Sequence, residues 1–201
     1  MPLVRKPSSP TEPALDDRRF SEMLLGGALE DRWTAARNAP AVPNALPLLS
    51  EALSKERAPR VREAILTALA RIGSPESAAV TLPYLRSDDA AQRTAVLDAL
   101  RAMPAAAATH LPGLLSDADA DVRLLACEIA RGLPTEDASR LLGDMMDREL
   151  NPNVCAAAIE VLAETGDATS LPVLARCSDR FPDDPFLKFA INVARDRIGS
   201  R

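Results

Sequence analysis

The chain has 201 residues, 47% of them hydrophobic and 3% aromatic, with a formal net charge of −5 at pH 7. That acidic balance repels phosphate backbones, and no apolar run approaches the ~20 residues that span a bilayer, so neither nucleic acid nor a membrane is an expected partner. Three cysteines (Cys127, Cys155, Cys177) make an odd set without a CxxC pair, which predicts buried reduced thiols in a cytoplasmic protein and no disulfide framework.

Residues 1–15 carry Pro at 2, 7, 10 and 13, and Pro both fixes φ and removes a donor, so this stretch is expected to be a disordered arm. Arg5-Lys6 and Ser8-Ser9-Pro10 are the features of that arm a partner or a modifying enzyme would engage. From residue 16 to 201 the spacing of apolar residues turns helical and is expected to build one domain. Helix pairs are predicted over 16–25 with 29–38, 43–55 with 60–72, 75–86 with 89–102, 106–116 with 120–132, 135–149 with 152–165, and 168–178 with 184–198.

The pairs share two phrases. The first helix carries Leu-Pro-x-Leu, at Leu46-Pro-Leu-Leu49, Leu82-Pro-Tyr-Leu85, Leu111-Pro-Gly-Leu114 and Leu171-Pro-Val-Leu174, with Pro expected in or near the first turn, where a missing N–H costs little. The second begins with Val61-Arg-Glu-Ala, Gln92-Arg-Thr-Ala, Val122-Arg-Leu-Leu and Val154-Cys-Ala-Ala, with degenerate copies from Arg32 and Phe186. These anchors lie 29 to 32 residues apart, and a fixed period in that range marks stacked units that bury their apolar faces only against neighbours. Acidic turns (Ser87-Asp-Asp89, Ser116 to Asp121, Pro182 to Pro185) precede the second helices, where Asp and Ser cap free N–H groups.

Leu-Pro-x-Leu, a turn Asp and Val-Arg-x-x-Ala in this order resemble HEAT repeats over about residues 16–199. The interval is similar to the compact subclass first noticed in phycobilisome bilin lyases and widespread in bacterial proteins. The resemblance implies an all-α, right-handed α-solenoid of about six antiparallel helix pairs, with first helices on the convex side and second helices on the concave side. It also implies a ladder between units, with Arg62, Arg93 and Arg123 as the arginines and Asp89, Asp119 and Asp121 as the acids. Cys155, Asn151 and Asn153 interrupt that ladder in the fifth unit, so the last two units are expected to be held less firmly or to form a separate contact.

The seventh and tenth positions of the second phrase give two exposed columns. One holds Thr67, Asp98, Glu128, Glu160 and Asn192, the other Ala70, Arg101, Arg131, Ala163 and Arg195. Asp98, Arg101, Glu128, Arg131, Glu160 and Arg195 are therefore the candidate partner-binding residues of a charged concave groove. Against this stands a solvated face with local pairs such as Asp98–Arg101 and Glu128–Arg131, each worth ~0.2–0.5 kcal/mol. His110, the single histidine, is expected to cap or flank a helix; followed by Leu111, it lacks the His-Glu pairs through which HEAT-repeat hydroxylases hold iron. Trp33 is expected over the amino-terminal cap, Phe181, Phe186 and Phe189 at the closing end, and Met145 and Met146 as a core and a surface residue.

No GxGxxG, Walker loop, GxSxG or HExxH motif occurs, so neither catalytic residue, metal nor cofactor is expected. The reading is a non-enzymatic adaptor, monomeric, that binds a protein partner along its concave face. A bilin lyase-like chromophore handler is the alternative implied by the resemblance, and a HEAT-like DNA glycosylase is disfavoured by the charge.

Overall fold

Short polar side chains set where the helices begin. Asp89 accepts from the N–H groups of Ala91 and Gln92, Asp119 from Asp121, Asn151 from Asn153 and Val154, and Asp184 from Leu187, so each satisfies donors that a helix leaves unpaired. Pro occupies the first helical residue at Pro59, Pro75, Pro104, Pro152 and Pro185. Gly73, with φ of 64°, closes the longest helix of the second unit, a left-handed backbone suited to Gly.

A computed structural model describes residues 17–200; the arm expected over 1–15 lies outside them. In chain order the helices are α1 (Asp17–Gly26), α2 (Leu29–Asn38), α3 (Ala45–Lys55), α4 (Pro59–Ile72), α5 (Pro75–Thr81), α6 (Ala90–Arg101), α7 (Pro104–Ala108), α8 (Leu111–Leu114), α9 (Ala120–Ala130), α10 (Thr135–Met146), α11 (Pro152–Thr165), α12 (Leu171–Arg180) and α13 (Pro185–Gly199). They form a right-handed α-solenoid in which α2, α4, α6, α9, α11 and α13 are the second helices of six units. The predicted first helices over 75–86 and 106–116 are each broken. A 3₁₀ turn (Leu82–Arg86) follows α5, and α7 gives way to α8. Pro83 and Pro112 are the cause: a proline within a helix lacks the donor and its ring collides with the carbonyl four residues back. Pro47 and Pro172 lie in the first turn of α3 and α12, where neither penalty applies.

One continuous core runs from Phe20 and Leu24 to Ile191 and Ile198. Successive second helices pack directly on one another, while the first helices α3 and α5 make little contact. The stack therefore bends with its second helices on the inside. Met145 and Met146 are both buried, which corrects their assignment as a core and a surface residue: α10 is covered on two sides, by α11 and by α12.

The seams between units depend on a position the Asp pattern does not mark. Two residues ahead of the caps of α4, α6, α9 and α11, a side-chain oxygen accepts the cap residue's N–H: Glu56 from Ala58, Ser87 from Asp89, Asp117 from Asp119 and Glu149 from Asn151. Glu56 also accepts from Nε and Nη2 of Arg32, at 2.7 and 3.2 Å, and Glu149 from the same two nitrogens of Arg123, at 2.6 and 3.0 Å. Arg62 reaches Asp89 and Gln92 of the next unit, each at 3.1 Å. The rest of the expected ladder is different. Arg93 turns back to the Ser87 carbonyl of its own unit, and Asp119 caps α9 and faces Arg86 at 3.8 Å. Asp121 contributes its backbone N–H to that cap. Glu149 takes the role because its longer side chain reaches the preceding unit's guanidinium while still accepting from the turn.

The Cys155 seam has its own substitute. Arg180 donates to the carbonyls of Met146 (2.6 Å), Asp147 (2.9 Å) and Glu149 (3.0 Å), and Arg176 grips Asp147 at 2.8 and 2.9 Å.

Burial alone would push the Glu149 carboxyl up, but the Arg123 guanidinium and the N–H groups of Asn151 and Leu150 outweigh it and hold the group below its ordinary 4.5. A lowered folded-state value stabilises the native state above the ordinary value and is lost as pH falls through the folded one. Glu149→Gln is therefore expected to cost about 3 kcal/mol at pH 7, because it leaves a half-buried guanidinium without its counter-charge. The gap to the wild type should narrow steadily below pH 4.5. Urea midpoints across that range check both the size and the direction.

Candidate functional site

Helix caps fix the register of the second helices more firmly than hydrophobicity does. Ala58, Asp89, Asp119 and Asn151 stand before α4, α6, α9 and α11, and the phrase begins three residues later, at Val61, Gln92, Val122 and Val154. Ala28 and Asp184 cap α2 and α13, so the end copies begin at Asp31 and Leu187, one residue away from Arg32 and Phe186. Burial agrees: Leu187 is buried, as are Val61, Val122 and Val154, whereas Phe186 is 66% exposed. Arg32 thereby takes the second position, in line with Arg62, Arg93 and Arg123.

The shift removes Arg195 from the predicted basic column. It occupies the ninth position, filled in interior units by the buried Leu69, Leu100, Ala130 and Leu162. Those side chains contribute to the packing between units. On α13, with no unit after it among the described residues, the place is exposed and Arg195 there, like Lys188 and Asn192, gives the stack a polar end. Val193 and Asp196 stand in the two columns instead.

The other predicted residues divide into two groups. Arg131 is the centre of one: it grips Glu128 at 2.9 Å, pairs closely with Glu164 and approaches Glu160 at 3.9 Å. The group ties α9 to α11. Its guanidinium is held above its ordinary value by the hydrogen bond to Glu128 first, and then by Glu164. Asp98 and Arg101 behave otherwise. Both are exposed, and no ion pair joins them to each other or to another group among the described residues. The i,i+3 pairing expected on α6 is thus replaced by two free charges of opposite sign.

Asp98 lines a groove of about 540 Å³ between α4 and α6. Its floor is apolar (Pro59, Leu66, Ala70, Ala95, Ala99), and its walls carry Arg62, Glu63, Thr67, Gln92, Thr94 and Asp98. Small residues on α6 open it: alanines at 91, 95, 99 and 102 leave space where larger side chains would close the seam.

At the amino-terminal end the Trp33 ring is half-buried against the core, with the guanidinium of Arg60 4.2 Å and that of Arg37 4.6 Å from its centroid. Trp33 therefore packs and also presents a doubly cationic surface. His110 places Nε2 3.4 Å from the Pro75 carbonyl in the preceding unit and caps no helix with its side chain. Phe181 packs on the core, but Phe186 and Phe189 are exposed at 66% and 68%. The expectation that all three close the last unit is corrected: Leu187, Ile191 and Ala194 do so. All three cysteines are free and buried. Among the described residues no three His, Cys, Asp or Glu side chains are grouped to hold a metal.

Replacing the two arginines separates their roles. Arg131→Ala should lower stability by about 1–2 kcal/mol, since three carboxylates lose their counter-charge. Arg101→Ala should stay within about 0.5 kcal/mol, as an exposed side chain without a partner. Paired thermal or urea unfolding curves measure the difference.

No curated protein matches the chain. Among solved structures, human deoxyhypusine hydroxylase in complex with glycerol is 18% identical with a TM-score of 0.46, over 92% of this chain and 84% of that one. The complex of CpcE and CpcF of phycocyanin lyase from Nostoc sp. PCC7120 is 16% identical with a TM-score of 0.46, over 98% and 100%. An engineered protein is 17% identical with a TM-score of 0.45, over 90% and 96%. The sequence profile of the HEAT repeats matches residues 27–101 and 107–191. With the helix pairs, the caps and the seams in place, the chain belongs to the HEAT-repeat family.

Proposed function

We propose that the chain is a non-enzymatic interaction scaffold that binds a partner protein along its second-helix face. The observation that carries this reading is the groove between α4 and α6. An apolar floor is bordered there by the unpaired carboxylate of Asp98, with the unpaired Arg101 three residues further along α6, and both leave ionic capacity unspent. Unspent polar groups around an apolar strip are what an incoming segment needs in order to be held in one register. Three buried free thiols suit a reducing compartment such as the cytoplasm, and no described helix is long and apolar enough to cross a membrane.

Thr67 and Thr94 line the groove, and both are exposed, so arginines fit there without disturbing the core. A Thr67→Arg, Thr94→Arg variant should retain less than about a tenth of the partner captured by the wild type, with helicity and melting unchanged. Arg140→Glu on α10, away from the groove, serves as the control and should capture normally. Equal capture by all three forms removes the groove from the reading.

A further inference from the structure

The corrected register brings a second surface into view. Phe189 occupies the third position of its phrase, where Glu63 and Thr94 line the groove in the second and third units. Phe186 stands where Ala91 does, and Val193 where Thr67 and Asp98 do. Both phenylalanines therefore belong to the inner face of the stack, and neither is covered: they are 66% and 68% exposed. The third position is apolar through the whole distal half, running Leu124, Ala156 and Phe189, with Leu124 and Ala156 half-buried. An aromatic pair this exposed, continued by an apolar strip, marks an interaction site.

Charge says what kind of segment fits. On the inner positions of α9, α11 and α13 stand five carboxylates, Asp121, Glu128, Glu160, Glu164 and Asp196, against Arg131 and Arg197, with Lys188 exposed beside Phe189 at the place of Arg62. Arg131 is already engaged with Glu128 and Glu164. Glu160, with its side chain 70% exposed, and Asp196 flank the apolar strip toward solvent. We propose that the inner face of the fourth to sixth units docks a basic amphipathic helix of a partner protein, its apolar stripe on Phe186, Phe189 and Leu124 and its Lys or Arg residues against Glu160 and Asp196. A helix offers apolar residues on one face every third and fourth position with cations beside them, which matches an apolar strip edged by acids. This surface takes only its choice of face from the scaffold reading; it shares no residue with the groove between α4 and α6.

The test uses the full chain and two labelled synthetic helices of ~18 residues, about five turns, one patterned with Leu and Lys and the other with Glu in place of every Lys. Fluorescence anisotropy should show the Leu/Lys helix binding at least about tenfold more tightly than the Leu/Glu helix. Phe186→Ser with Phe189→Ser should weaken it by about tenfold or more. Because both rings are largely exposed, the fold should survive, which an unchanged melting curve verifies. Glu160→Lys with Asp196→Lys, an independent variant at the acids, should weaken it to a similar degree. Thr67→Arg with Thr94→Arg should leave it unchanged, so failure of the groove and failure of this surface give different results. The proposal is overturned if the Leu/Lys helix does not bind, if both helices bind alike, or if the serine variant binds as the wild type does. It is also overturned if sedimentation shows a dimer that the serine variant dissolves, for then a second copy of the chain covers the surface.

Discussion

The close approach of successive second helices is the constraint on which the rest of this structure depends. Each unit is too small to bury its apolar side alone, so it does so against its neighbours. The buried residues facing those neighbours alternate large and small: Ile65 and Ala68 in α4, Val96 and Ala99 in α6, Ala126 and Ile129 in α9, Ala158 and Val161 in α11. Alanine at one of each pair lets the backbones come near, and the larger residue fills what is left. First helices, interrupted at Pro83 and Pro112, have no such regular seam. Tight packing on one side and looser packing on the other bend the array and place the outward positions of the second helices along one curved wall.

A bent stack still slides unless something fixes its units. Ala99, Ala130 and their equivalents specify distance, not register. Polar groups at the turns supply the register. Glu56 and Glu149 each close a turn by accepting its backbone N–H groups and at the same time hold an arginine of the preceding unit in two-point contact. A fork-to-fork pair of this sort is directional in a way apolar contact is not. It also explains why the fifth unit stays in line although Cys155 replaces the arginine. Arg180 reaches back from α12 to three carbonyls at the end of α10, so the same end of the same helix is held from the other side.

The period, the helix pairs and most of the caps were legible in the sequence because they rest on short-range chemistry: Asp, Asn or Pro at a helix start, and apolar residues at helical spacing behind it. The end units were harder. Asp31 offers no apolar mark for the start of its phrase, and Phe186 offers a false one, so hydrophobicity alone sets both ends one residue out. Cap-to-anchor spacing, visible in Asp184 and Leu187, was the signal that resolves it. The carboxylates at the seams were missed for a different reason. Glu56 and Glu149 lie before the turn, at the end of the first helix, and only the three-dimensional path of the chain shows that they face the preceding unit's arginine. Pairing on the inner face was likewise beyond local reading: Asp98–Arg101 and Glu128–Arg131 have the same spacing, yet only the second pair forms. Glu160 and Glu164 of the next helix draw Arg131 across the seam toward them, whereas beyond Arg101 the place of Glu164 is taken by Gly132 and the place of Glu160 by Glu128, which Arg131 already holds.

That difference divides the inner wall into two chemical regions. Toward the middle, α4 and α6 leave polar groups unsatisfied beside an apolar groove; toward the end, α9 to α13 pair their one central arginine internally and leave carboxylates and phenyl rings facing outward. Cys155 and Cys177 are buried in the core beneath the distal region, and the neighbouring Cys177, followed by burial, pushes the Cys155 thiol up, so an uncharged Cys155 fills the place where other units carry a guanidinium. A substitution that resembles a defect in the ladder thus moves the guanidinium of the seam from α11 to α12 without removing it, and the acidity of the distal inner face comes from its own carboxylates, Glu128, Glu160 and Glu164.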